Sequence, residues 1–240
     1  MTGDGKMNHI GLCVNPGKNE FVQSDNDNYL CRAIKTKVVT EADSLADIVN
    51  DYAKPYLKKG DILFLSEKMV ACTQGRAMPL SSIKPGFLAR FLSRFVTKTT
   101  AGIGLAMPET MQCAIDECGY IRILLASVVG MLGKILRKKG WFYHVAGYRA
   151  ACIDGPCSYT IPPYNKYVVL APQNPDQVAK SISAMLDGIV VLIVDINDFG
   201  GAILGSSQPI DRNRIISILQ QNPLGQSSES TPMGVLSILR

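Results

Sequence analysis

Two aspartates follow apolar segments that are predicted to be strands, and turn-forming residues follow each of them. Asp154 comes after the segment WFYHVAGYRAACI, and Asp195 ends the apolar run Ile189–Val194. In α/β folds, ligands bind at the carboxyl ends of strands, where loops vary without disturbing the core. Two carboxylates there suit Mg²⁺ or Mn²⁺, which take a few protein oxygens and leave positions for phosphate. The alternative for each aspartate is a turn former or a helix cap.

Further oxygen donors accompany the second aspartate and a later loop. Asn197 and Asp198 in DINDFGG add side-chain oxygens next to two glycines, or they form an Asx turn. Gln226 in PLGQSSES belongs to a loop of small polar residues that could cradle an anion or have no binding role.

The sequence argues against several other site chemistries. The only histidines are His9 and His144, and no GxSxG motif is present, so a Ser-His hydrolase is not supported. His144, in a predicted aromatic strand, is interpreted as a core residue. The segment AGIGLA lacks both the Rossmann and the Walker glycine patterns. Cys72 and Cys152 have no identifiable basic partner and are interpreted as buried thiols.

Hydrophobic periodicity and turn residues predict elements along most of the chain. Residues 1–31 are polar and predict an irregular entry or a first hairpin, and 121–136 mix helix and strand signals. The predicted helices lie in the segments DSLADIVNDY, PGFLARFLSRFVTK, PETMQCAIDEC, NPDQVAKSISAML and PIDRNRIISILQQ. The predicted strands are Ile62–Leu65 with a second short extended piece after it, the stretch after Trp141, NKYVVLAP, GIVVLIV and VLSIL.

Basic residues and phenylalanines share the segment between Pro85 and Lys98. Phe87, Phe91 and Phe95 align on one helix face, which predicts a core-facing or dimer-facing stripe. The mild net charge of +5 includes Arg90 and Arg94, and such residues indicate either solvated faces or a surface that meets phosphates. Nucleic acid binding is not favoured, because no basic and aromatic interleaving of the kind that stacks bases occurs.

Length and composition indicate a globular protein. With 240 residues, 47% hydrophobic and 19% charged, the chain predicts one domain with two lobes. Seven cysteines without a CxxC pair argue against structural zinc and against a disulfide framework. No signal peptide is visible, and the most apolar run, 121–136, is shorter than the roughly 20 residues of a spanning helix. We therefore expect a cytoplasmic protein without a membrane partner.

Several segments together resemble the gamma-glutamyl ligase family that adds glutamate to the deazaflavin coenzyme F-420-0. They are KKGDILFLSEKMVACTQGR, CIDGPCSYTIPP, APQNPDQVAKSI, VVLIVDINDFGG and NPLGQSSESTPMGVL. The resemblance runs from about residue 35 to the end, whereas 77–148 looks specific to a subgroup and helical. It implies an irregular N-terminal segment of 1–31 and a single ligase-like domain of 32–240.

The resemblance implies a two-lobed α/β (α+β) fold with mixed sheets and an intertwined homodimer. It also implies GTP, or ATP in its place, and Mg²⁺ or Mn²⁺. The family's metal ligands fall on Asp154, Asp195 and Gln226, and the two aspartates are also the expected catalytic residues. Lys68, Arg76 and Asn197 are the expected nucleotide contacts.

The activity implied is formation of an amide between a small-molecule carboxylate and a glutamate-like amino acid through an acyl phosphate. The chain departs from the family at Cys72, where the family has a lysine, and at Ile196, where it has a threonine. The alternative is therefore a non-catalytic relative that binds a metal or an anionic metabolite.

Overall fold

A computed structural model describes residues 11–24, 27–96, 103–138, 140–198, 200–225 and 227–239. The strands in these residues are β1 (Gly11–Cys13), β2 (Phe21–Ser24), β3 (Asp27–Lys35), β4 (Ile62–Ser66), β5 (Ala77–Pro79), β6 (Tyr167–Val169), β7 (Val190–Asn197), β8 (Gly200–Ser206) and β9 (Met233–Leu239). The α-helices in these residues are α1 (Leu45–Tyr52), α2 (Glu67–Thr73), α3 (Phe87–Leu92), α4 (Pro108–Cys118), α5 (Tyr120–Ile135), α6 (Trp141–Ala146), α7 (Tyr148–Ala151), α8 (Pro175–Met185) and α9 (Arg212–Leu219). The fold is therefore of mixed α/β type, as predicted.

The chain divides into two compact units. The sheet unit comprises the described residues of 1–39, 43–66 and 174–240, and the helical unit comprises those of 40–42 and 67–173. The boundary predicted between residues 31 and 32 falls inside β3, because β2 and β3 form the hairpin that was one of the two alternatives for the N-terminal segment. Four helices, α3 to α6, lie within 77–148.

The sheet unit is built on one mixed sheet with the strand order β1-β3-β9-β4-β7-β8, and β2 also pairs with β3. Strands β4 and β7 are parallel, and the other pairs are antiparallel. Phe64, Leu192 and Leu236 project from one face of the sheet into a core with Ile218 of α9. Helix α8 packs against β7 and β8. Residues Leu63–Leu65 of β4 and Val191–Val194 of β7 are buried, which explains why these runs are continuously apolar.

The helical unit has its own core, formed by the helices α3 to α7. Helix α4 starts with Pro108 and is followed by Gly119 at φ 85°, the start and stop signals that predicted it. Helix α5 resolves the ambiguous run as a helix of 16 residues. Helix α5 packs close to α6 because two of its residues in the contact are glycines. A Cβ on Gly130 would lie 3.0 Å from Phe142 Cβ, and a Cβ on Gly133 would lie 3.0 Å from Trp141 Cβ, so a larger side chain at either position would push the helices apart.

Two predicted extended segments of the helical unit are helices, and β8 of the sheet unit was not predicted. The piece after β4 is α2, whose Met69, Val70 and Ala71 are buried together. The stretch from Trp141 forms α6 and α7, because Ala146 of α6 and Ala150 of α7 pack into the core of the helical unit and this packing overrides the aromatic strand propensity. His144 lies in α6 and is exposed, so its interpretation as a core residue was wrong. Strand β8 was not predicted because Gly200, Gly201 and Gly205 are not typical of a strand interior.

Within the described residues, no single helix is long and apolar enough to cross a membrane. Helices α4 and α5 meet the length and composition requirement only as a pair, and the chain bends by 119° between them.

Candidate functional site

Asp195 and Asn197 lie at the carboxyl end of β7, beside the parallel strand β4. The strand was expected to stop at Asp195, but it continues for two residues, because Asp195 pairs with Ala202 and Asn197 with Gly200 of β8. Alternation along the strand puts both side chains on the face opposite the α9 core. Both are only half-buried. The pairing with β8 therefore fixes the backbone that carries these two side chains.

The loop between α9 and β9, residues 220–232, is tied to the same edge of the sheet. Ser66, the last residue of β4, donates its backbone N–H to the Pro232 carbonyl at 2.8 Å. Thr36 N donates to the Ser230 carbonyl and Ser230 Oγ donates to the Thr36 carbonyl, each at 2.9 Å. Gln226, the third predicted metal ligand, is outside the described residues. Its neighbours in this loop are nevertheless held at the edge that carries Asp195.

A buried asparagine joins this loop to the turn after β7. Asn222 Nδ2 donates to Asp198 Oδ1 at 3.0 Å and to the Gly225 carbonyl at 3.1 Å. Asp198 also pairs with Lys18 at 3.0 Å, and this contact, with the Asn222 hydrogen bond second, lowers the pKa of the Asp198 carboxyl. Asp198 therefore joins the turn after β7 to the loop before β9 and to Lys18.

In the helical unit, Asp154 forms an ion pair with Lys68, the first of the predicted phosphate contacts. Lys68 Nζ lies 2.7 Å from Asp154 Oδ2, and the two side chains are 41% and 48% exposed. Lys68 belongs to the first turn of α2. The strand predicted before Asp154 is absent, since α7 ends at Ala151 and Asp154 instead forms an isolated bridge with Val169, with both N–H···O distances 2.9 Å. The bridge fixes the backbone, and the carboxylate stays accessible.

Two phenols and two thiols surround this ion pair. A hydrogen bond with Cys157, burial and the charges of Cys157 and Asp154 raise the pKa of Tyr159, and the Lys68 charge opposes the change. Burial raises the pKa of Cys72, while a hydrogen bond with Tyr164 and the Lys68 charge act in the opposite direction. Cys72 is therefore a neutral thiol at pH 7, and it is neither an activated nucleophile nor a cation.

Arg76, the second predicted phosphate contact, already has two protein partners. Its Nε donates to the Ala171 carbonyl at 2.5 Å, and its Nη2 lies 2.6 Å from Glu117 Oε2 of α4. The side chains of the pair are only 10% and 18% exposed. The arginine joins three segments of the helical unit, and its contact with phosphate stays a prediction.

We expect Arg76→Met to destabilise the protein by about 3 kcal/mol, because it leaves the Glu117 carboxylate buried without a cation. The double variant Arg76→Met/Glu117→Leu should recover part of this loss, and Arg90→Met, which removes an exposed arginine, should change stability by less than about 0.5 kcal/mol. Urea unfolding measures all three. An unfolding free energy of Arg76→Met equal to that of Arg90→Met would contradict a structural ion pair.

Sequence reasoning did not identify the buried polar residues that organise the loops. Asn222 is fully buried, and Asn15 is nearly so, with Nδ2 donating to the Pro223 carbonyl and to Thr231 Oγ1. Each asparagine precedes a proline, and this Asn-Pro dipeptide was the available signal for a specific turn. Glu67, which directly follows β4, is a buried carboxylate that the sequence patterns do not single out.

The family model described as F420-0:gamma-glutamyl ligase matches residues 33–201. The match runs from β3 to the start of β8 and includes Lys68, Arg76, Asp154, Asp195 and Asn197, whereas Gln226 lies beyond it. No curated protein matches the chain.

Proposed function

Because the chain belongs to the F420-0:gamma-glutamyl ligase family, we propose that it joins a glutamate-like amino acid to a small-molecule carboxylate at the expense of GTP or ATP. The observation that carries this proposal is the family match over 33–201, which includes every proposed site residue except Gln226. The substrate carboxylate attacks the γ-phosphorus, and the bond to the nucleoside diphosphate breaks. The amine of the amino acid then attacks the acyl carbon, loses a proton to the medium, and displaces inorganic phosphate.

The donor set fits a hard divalent cation. Asp154 and Asp195 offer carboxylate oxygens that are partly exposed and therefore reachable by an ion, and Mg²⁺ and Mn²⁺ prefer such oxygens. We propose these two residues and Gln226 as the ligands. A bound cation would offset the negative charge that develops on the phosphate oxygens during transfer.

We propose Lys68 as the phosphate contact in the helical unit. Its ammonium is a compact charge that is already orientated by Asp154 and is still exposed enough to take an anionic oxygen. A phosphate bound here would neutralise the positive charge of Lys68 when a cation takes Asp154 as a ligand. Asn197, with a half-buried amide on a rigid strand, is the proposed polar contact in the sheet unit.

One observation favours the second candidate, a non-catalytic binding protein. Cys72 is buried and neutral where the family has a lysine, so the chain lacks one positive charge close to Lys68. A protein of this kind would bind nucleotide and metal, or an anionic metabolite, without turnover.

The experiment that tests the ligase is release of inorganic phosphate from GTP with Mn²⁺, measured with and without glutamate and coenzyme F-420-0. The ligase predicts release that requires both acceptor and amino acid, together with a product heavier by one glutamyl residue. Lys68→Met should lower kcat/KM about a hundredfold, as loss of one charge-stabilising donor does elsewhere. Lys166→Met, which removes an exposed lysine of the same unit, is the matched control. Nucleotide binding without phosphate release would favour the binding protein instead.

A further inference from the structure

Helix α5 presents an apolar face to solvent. Ile121, Leu124, Leu125, Val128, Met131 and Ile135 are each more than two-fifths exposed. Their spacing puts them on one side of the helix. The other side, with Ile123, Ala126 and Gly133, is buried in the helical unit. The exposed face is therefore not needed for the core of this unit.

Three phenylalanines extend the apolar surface beside this helix. Phe87 is 85% exposed, Phe95 is 60% exposed, and Phe91 lies between them with ring centroids 6.4 Å and 5.1 Å from theirs. We call Phe87, Phe91 and Phe95 the Phe87–Phe95 ladder. Lys134 Nζ of α5 donates to the Phe95 carbonyl at 2.6 Å, and this hydrogen bond joins the ladder to the carboxyl-terminal half of α5. The sequence alternatives were a core-facing or a dimer-facing stripe, and the exposure of all three rings is not consistent with the core-facing one.

The area is large for a surface in water. The nine large apolar side chains of residues 120–136 expose roughly 1,000 Å², against the few hundred of the largest patch on a typical monomer. Such a patch marks a docking surface, and the charges around it indicate what docks.

The charged residues of the two segments that carry this surface are all basic. Residues 120–138 contain Arg122, Lys134, Arg137 and Lys138 and no acidic residue, and the phenylalanine segment 85–95 contains Arg90 and Arg94 and no acidic residue. Two copies paired face to face would bring these cations together without a carboxylate from either helix. A bilayer with anionic headgroups offers both an apolar interior and the opposite charge.

We propose that α5 and the Phe87–Phe95 ladder form a peripheral docking surface for an anionic lipid bilayer. The helix lies in the plane of the interface over a length of about 24 Å, with its apolar side chains below the headgroups and its basic residues among them. The sequence expectation of no membrane partner rested on the lack of a spanning segment, and docking at the surface requires none.

The test is flotation of the full-length protein with vesicles of phosphatidylcholine containing about 30% phosphatidylglycerol, compared with phosphatidylcholine alone. The protein should float with the anionic vesicles, and bound protein should fall as salt is raised. Leu125→Glu should abolish flotation, and Lys138→Gln should lower the partition coefficient about fivefold. Lys180→Gln, on an exposed position of α8, should leave it unchanged.

Failure of the unaltered protein to bind anionic vesicles overturns the proposal, and so does binding that Leu125→Glu and Lys138→Gln leave intact. Light scattering of the protein without lipid tests the alternative occupant of this face, which is a second copy of the chain. A dimer that Leu125→Glu converts to monomer, with no flotation of either form, would assign the face to a second copy of the chain.

Discussion

Replacing Asp195 by asparagine is expected to lower the kcat/KM of Mn²⁺-dependent phosphate release about a thousandfold. The substitution keeps the size of the side chain and the pairing of β7 with β8, but it removes the negative charge proposed to bind the cation, and metal stabilisation of a phosphoryl transition state contributes several kcal/mol. Steady-state phosphate release over a range of Mn²⁺ concentrations measures the loss. Part of the activity should return at high Mn²⁺ if affinity for the cation is what the variant lost.

The matched control is Asp187→Asn, which removes an exposed carboxylate in the turn before β7 and should leave kcat/KM unchanged. Thermal unfolding of both variants should stay close to that of the unaltered protein, because neither position is in a core. Full activity in Asp195→Asn, or an equal loss in both variants, would remove Asp195 from the mechanism.

Gly205→Ala should destabilise the protein by about 3 kcal/mol, the upper part of the range for forcing extra volume into a packed interior. A Cβ at this position of β8 would lie 2.3 Å from the carbonyl carbon of Pro175 and 2.5 Å from its oxygen, and both atoms are backbone. Neither atom can move without displacing the start of α8, where Asp176 accepts a hydrogen bond from Ser206 N at 2.9 Å. Urea unfolding with a two-state fit measures the change.

Gly86→Ala provides the comparison, since its Cβ would meet only the Oε1 atom of Gln112, at 3.4 Å, and the backbone there is not in the left-handed region. We expect it to change stability by less than about 0.5 kcal/mol. If the two alanine variants unfold at the same urea concentration, the close approach of α8 to β8 is wrong.

Sequence patterns predicted the elements whose signals are local. Helix α1 has Ser44 as its cap, accepting from Asp47 N, and α9 has Asp211, accepting from Arg214 N, so both starts could be predicted from neighbouring residues. Strands β4 and β7 were recognisable from their apolar runs Ile62–Leu65 and Val190–Val194. Helices α6 and α7 could not be separated from strands, because their aromatic and β-branched residues are helical only through packing on the rest of the helical unit.

The sequence could indicate which residues belong to the site, but it could not indicate which of them contact each other. Asp195 was identified from its place after an apolar run, and the resemblance to the ligase family supplied Lys68 as a phosphate contact. That Lys68 meets Asp154 could not be predicted, since the pairing depends on how α2 and the 154–169 bridge pack in the helical unit. For the same reason the partners of Arg76 were beyond sequence reasoning, although its charge was noted.

The most direct test of the proposed metal-dependent nucleotide site is the melting temperature of the protein with Mn²⁺ and GTP together. The proposal predicts stabilisation by the pair of ligands, about 2.7 kcal/mol at a hundred times the dissociation constant, that is lost in both Asp154→Ala and Asp195→Ala. A melting temperature that Mn²⁺ with GTP or ATP leaves unchanged, or a shift that both alanine variants retain, would contradict it.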